Sequence, residues 1–173
     1  MRLPRILQRD PEARALAALA DAVAALPERH RPEEALQIVV DLARTETRCK
    51  YAALNVTDEH DRTQGFVTSG LTAAELKGLR VPPQGHGPLG SLRADGKPVR
   101  LVDVDKHQKA FGFPTKHPKM TTLLGVPLWA SGVVRGSLYC SDRTDGKPFD
   151  DDDEKLVLML ARHASSVIEH EWY

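Results

Sequence analysis

Two apolar runs, Thr122-Leu-Leu-Gly-Val-Pro-Leu-Trp129 and Val133-Val-Arg-Gly-Ser-Leu-Tyr-Cys140, are joined by a short connection containing Ser131-Gly132. Runs of this kind read as strands, and a glycine-bearing link this short folds them into an antiparallel hairpin. Directly after them, Phe149-Asp-Asp-Asp-Asp-Glu154 opens a helix with acidic residues at its positive end. Leu156, Leu160, Ala164, Val167 and Ile168 then carry one apolar stripe toward Trp172. A hairpin and an amphipathic helix each need something to cover their apolar face. Strands grouped together and backed by segregated helices define an α+β fold with a central antiparallel sheet.

Upstream the same logic holds. Asp10 before Pro11 is an N-cap with proline in the first turn, and Leu16, Leu19, Val23 and Leu26 recur at spacings of three and four until Pro27. A second helix starts near Pro32-Glu33-Glu34, carries Leu36, Val39, Val40, Leu42 and Ala43, and ends about Thr47. Tyr51–Val56 and Phe66–Thr68 read as strands around the polar turn Asp58–Asp61. Thr72-Ala-Ala-Glu75 matches a capping box and opens a short helix. A Gly/Pro-rich loop spans Val81–Gly90, leads into a short helix through Leu92, and is followed by a short strand at Val99–Val102. From Asp103 to Thr121 no periodicity appears, and so long a loop in a compact domain is more often functional than accidental.

Composition narrows the function. With 173 residues, 41% hydrophobic and 28% charged, the chain suits one globular domain. Lys+Arg and Asp+Glu balance at 24 each, so no net field draws it to nucleic acid, and none is expected as a partner. No apolar run approaches a membrane span, and MRLPRILQRD lacks the apolar core of a leader. No membrane association and a cytoplasmic location are therefore expected. Cys49 and Cys140 form no CxxC and are expected to be thiols.

Thr122–Leu128, Gly136-Ser-Leu-Tyr139 and Phe149–Glu154, with Tyr51–Leu54 and Phe66–Gly70, resemble a GAF domain, in which helices pack on one face of the sheet and a ligand pocket lies on the other. The resemblance implies a GAF domain over 32–173, preceded by an N-terminal helix in 1–31 as a candidate dimerisation element. Gly112-Phe-Pro-Thr-Lys-His-Pro-Lys-Met120 with the following strand is similar to the haem-binding GAF domains of dormancy-type bacterial oxygen and redox sensor histidine kinases. That likeness implies haem b with His117 as proximal iron ligand, Tyr139 on the distal side and Phe66 lining the pocket. It departs from the family at Lys119, where a second proline is usual, at Asn55, where some relatives carry a carboxylate, and at His86, where an aliphatic residue is usual.

His117 is held between Pro114 and Pro118, which lowers the entropy lost in fixing an imidazole, and a single His commonly holds haem iron. The competing reading is a loop-docking histidine bonded to backbone. Tyr139 either donates to a bound diatomic or is a strand aromatic whose hydroxyl meets backbone. Leu89, Leu92, Phe113, Met120 and Leu124 are pocket walls or ordinary core. His86 is either a second iron ligand or solvent-facing. Arg80, Lys97, Arg100 and Lys106 are candidate partners for propionates or an anionic ligand. The Asp150–Asp153 run reads as a solvated helix start rather than a metal site, because consecutive carboxylates on a helix diverge.

The expectation is a stand-alone sensor rather than an enzyme. It would detect O2, NO, CO or redox state through iron on His117 and pass the signal to another protein. The alternative is a haem-free GAF module that binds another small molecule, or that dimerises through its terminal helices. A methionine sulfoxide reductase activity would need a nucleophilic Cys with resolving partners, and Cys49 and Cys140 do not match that pattern.

Overall fold

The computed structural model describes residues 10–78, 95–104 and 119–172. The described elements are α1 (Pro11–Ala24), α2 (Pro32–Thr47), β1 (Cys49–Thr57), β2 (Thr63–Ser69), α3 (Ala73–Gly78), β3 (Val99–Leu101), β4 (Leu123–Ala130), β5 (Val133–Arg143) and α4 (Asp151–Trp172). The strands form one antiparallel sheet in the order β2-β1-β5-β4-β3.

The local signals in the sequence have visible counterparts. The Asp10 carboxylate accepts from the amides of Glu12 and Ala13 at 3.0 and 3.5 Å, satisfying donors at the start of α1. Thr72 and Glu75 exchange side-chain bonds with each other's backbone amides, both at 3.1 Å, which is the reciprocal capping box. Ser131 and Gly132 have φ of 51° and 75°, and Ala130 pairs with Val133. Two consecutive positive φ values match the right-handed twist of the flanking strands.

Helices α1, α2 and α4 cover one face of the sheet. The core between the layers holds Leu36, Val39 and Val40 of α2, Leu156, Leu160 and Ile168 of α4, and Leu54, Val56, Leu124, Val126, Leu128 and Leu138 of the sheet. Helix α1 places Ala15 and Leu19 in this core, while Leu16 and Val23 remain 54% and 37% exposed. The apolar stripe expected on α1 is thus rotated, with Ala15 doing what Leu16 was expected to do. Two readings change here. Leu124 belongs to the helix-side core and not to a pocket wall, and its neighbour Leu123 faces the other way. Arg100 is likewise turned to the helix side, where its guanidinium meets Asp151 at 2.8 Å and Glu154 at 3.5 Å.

The acidic start of α4 is used structurally. Asp150 and Asp153 cap each other's amides at 2.9 and 3.0 Å, and Arg143 reaches Asp153 at 2.9 Å, Asp150 at 3.2 Å and Asp145 at 2.6 Å. Burial dominates at Asp153 and raises its carboxyl above the usual value, while the amide of Asp153 and the guanidinium of Arg143 lower Asp150. A cleft of about 220 Å³ opens beside this network and is lined by Arg14, Glu46, Arg48, Arg143 and Asp153 among others. Arg14 and Glu46 pair across it at 2.7 Å.

Candidate functional site

Strand alternation sends successive side chains to opposite faces. On β1, Ala52, Leu54 and Val56 enter the core under α1, α2 and α4, so Tyr51, Ala53 and Asn55 point to the opposite face. The pairing registers then assemble that face into three cross-strand rows. One row is Phe66, Asn55, Ser137 and Pro127; the next is Thr68, Ala53, Tyr139, Gly125 and Val99; the third is Tyr51, Ser141, Leu123 and Leu101. Phe66 and Tyr139, read separately from the sequence, share one face in adjacent rows and two strands apart, roughly 12 Å by sheet geometry. Small residues, Ala53 and Gly125, form the floor beside them.

The third row and its neighbours are packed. Val104 and Leu123 are 0% and 3% exposed and form a satellite core with Val99, Leu101 and Tyr139. Tyr139 is half-buried there. Val104 donates its amide to the Thr121 carbonyl at 2.8 Å, tying together the two ends of the long segment that carries His117. The Asp142 carboxylate accepts from the Thr121 and Thr122 amides at 2.8 and 2.9 Å, which anchors the entry to β4 just after Met120. Met120 is half-buried at that entry. Glu75 of α3 reaches the Tyr51 hydroxyl, and burial together with that carboxylate holds the phenol above its usual range.

Among buried polar atoms, Asn55 Oδ1 and Ser141 Oγ have no hydrogen-bond partner. Both belong to the face opposite α1, α2 and α4. Sequence reading treated Asn55 only as a departure from a motif, yet the alternation of Tyr51, Ala53 and Asn55 against Ala52, Leu54 and Val56 was the signal that placed it here.

His117, His86, Phe113 and Leu89 lie outside the described residues, as do Leu92, Arg80, Lys106 and His107. Among the described residues no group of three or more His, Cys, Asp or Glu is arranged to hold a metal. No described helix is long and apolar enough to cross a membrane. Cys49 and Cys140 are free, buried, and placed in the helix-side core away from the candidate face. The Cys49 thiol donates to the Tyr51 carbonyl at 3.1 Å, and contact with Cys49 together with burial pushes the Cys140 thiol well up.

Five antiparallel strands with helices on one face and an aromatic-edged floor on the other define the class. A GAF domain model matches residues 31–168, and the chain belongs to the GAF family of sensor and signalling domains. Its fold is similar to the GAF domain of a phosphoenolpyruvate-protein phosphotransferase from Coxiella burnetii, with 23% identity, 90% of this chain and 93% of that one covered, and a TM-score of 0.71. It is also similar to free methionine-R-sulfoxide reductase from Neisseria meningitidis in complex with its substrate, at 20% identity, 94% and 92% coverage and a TM-score of 0.66. A third likeness is to an NreA protein from Staphylococcus aureus mutated in its nitrate-binding site, at 25% identity, 72% and 94% coverage and a TM-score of 0.53.

Proposed function

We propose that this chain is a sensor domain that binds a small molecule on the face of its sheet opposite α1, α2 and α4, with haem b on His117 as the first ligand to test. The observation that carries this reading is the shared placement of Phe66 and Tyr139 around the floor of Ala53 and Gly125. The aromatic side chains of Phe66 and Tyr139 on one face of the sheet fit the apolar character of a haem contact. His117 lies outside the described residues and precedes Lys119 by two positions in the chain. His117 would hold the iron, and Phe66, Met120 and Tyr139 would border the macrocycle. Phe113, Leu89 and His86 are the further contacts implied by the resemblance. Bound haem would supply an iron centre able to take O2, NO or CO or to change oxidation state. Output through a signalling partner, or through a homodimer built on the terminal helices, belongs to the same reading. The reading is of a binding protein and not an enzyme, in keeping with the placement of both thiols on the opposite side of the sheet.

The test is an absorption spectrum of the purified protein, oxidised and reduced, before and after reconstitution with hemin. A Soret band that is lost or shifted in His117→Ala supports haem on that residue. No band after reconstitution, or an unchanged band in the variant, overturns it.

One observation favours the alternative, a haem-free domain that binds a polar small molecule. Asn55 Oδ1 is buried without a partner, and the macrocycle of haem has no donor to offer it. Two of the similar structures, a free methionine-R-sulfoxide reductase in complex with its substrate and an NreA protein with a nitrate binding site, support this reading.

A further inference from the structure

We infer that the face opposite α1, α2 and α4 recognises an uncharged ligand with an amide-like edge, an N–H donor beside a carbonyl acceptor, on the row Phe66–Asn55–Ser137–Pro127. This inference rests on the reading that the face is the ligand site and does not depend on what His117 holds.

The row has an unusual order for the exterior of a sheet: aromatic, amide, hydroxyl, proline ring. Asn55 and Ser137 are direct cross-strand partners, so their Cβ atoms are about 5 Å apart. That is the spacing at which one planar group can touch both side chains. Asn55 Oδ1 is a buried acceptor with nothing to accept from, and such an atom carries the full cost of its lost hydration until a donor arrives. Ser137, at 5% exposure, brings a hydroxyl that can donate in the same place. An acceptor and a donor side by side complement a carboxamide or lactam edge. A carboxylate matches less well while Oδ1 faces the ligand, because it has no donor for that oxygen and is met only if the Asn55 amide turns its Nδ2 group toward it. Phe66 on one side and Pro127 on the other bring apolar rings to the row, and the next row carries the small residues Ala53 and Gly125.

The matched probes are benzamide and benzoate, which share a ring and differ at the edge. Each is titrated into the ¹⁵N-labelled full chain and followed by amide chemical shifts. The expected result is shifts at Ala53, Asn55, Phe66 and Ser137, with benzamide bound at least about fivefold more tightly than benzoate, the factor that one ordinary hydrogen bond supplies. Asn55→Leu is expected to erase that preference, whereas Phe66→Leu weakens both probes together. Prior loading with hemin is expected to suppress the benzamide shifts if haem takes the same face. Equal affinity for the two probes, or a preference that survives Asn55→Leu, overturns the inference and leaves the face as the ligand site. Shifts confined to the helix side, or no response of the face to either probe, overturn the reading of the site as well.

Discussion

Gly136 on β5 passes so close to Asn55 on β1 that a Cβ at position 136 would lie well inside contact with the Asn55 carbonyl oxygen. The obstacle is backbone at the centre of the sheet, and it cannot swing aside as a side-chain tip would. Gly136→Ala is therefore expected to cost at least about 2 kcal/mol, as overpacking against fixed neighbours does. Urea unfolding would show a lower midpoint. Because Asn55 belongs to the candidate ligand row, the same variant should also disturb amide signals along β1. An unchanged midpoint would contradict the close approach.

Asn55→Leu is expected to move stability the other way. It removes a buried acceptor that has no partner and adds apolar surface between Phe66 and Ser137. A gain of about 1 kcal/mol follows if the amide is unpaired in the free protein. The urea midpoint should rise while the response to benzamide disappears. A loss of stability instead would mean that the amide is satisfied at rest.

Arg143 is the cation that keeps Asp153 charged under burial. Arg143→Ala should cost about 2 to 3 kcal/mol near neutral pH, the usual result of stripping one partner from a largely buried pair. The sign of its pH dependence follows from the directions of the shifts. Asp153 has a raised carboxyl pKa, so its ionisation costs stability above that value, and the cost fades as pH falls through it. Losing Arg143 raises the carboxyl further and enlarges this cost at neutral pH. Asp150 and Asp145 are lowered in part by the same guanidinium, and that stabilisation is lost below the usual carboxylate range in the parent. The Asp153 effect narrows the gap between parent and variant as pH falls toward about 4, and the loss at Asp150 and Asp145 narrows it further below that. Thermal unfolding across that range checks it, and a gap that stays constant would sink the argument.

The two cysteines are expected to be silent toward Ellman's reagent in the folded protein. Both are free and buried, and Cys140 is held far toward the protonated thiol. Both should react once the chain is unfolded in denaturant. Prompt reaction of either thiol in buffer would show that this part of the helix-side core opens readily.

Much of the fold was legible because its signals are local. Asp10, the Thr72–Glu75 box and the Ser131–Gly132 turn each act within a few residues, and each appears where the sequence put it. What local pattern does not reveal is the facing of a strand covered on both sides. Leu123 through Leu128 are all buried, so β4 shows no alternation by which Leu124 could be assigned to the helix side. Arg100 was legible as a charge near the pocket in sequence, but its direction depends on pairing with Leu124 and on the distant carboxylates of α4. On β1 the alternation was plain, and it located Asn55 once the sheet order was known. Of the named site residues, Phe66, Tyr139 and Met120 can be followed in the structure, while His117, His86, Phe113 and Leu89 fall outside the described residues.

The strand at the middle of the sheet is the last one in the chain. β5 pairs with β1 on one side and β4 on the other, and Cys49 is matched with Arg143 across the intervening sequence. On a ribosome, β1 and β2 emerge before β4, β5 and α4, and of the helices that cover Leu54 and Val56 in the finished core α1 and α2 precede them. The sheet cannot close until residues beyond 133 have left the exit tunnel, and α4 must follow to seal it. Pairing over so long a separation is slow, and half-made sheets expose edges to other chains. A nascent chain stalled within β4 would therefore carry an open sheet that needs a chaperone, whereas release of α4 should convert it to the protected domain in one late step.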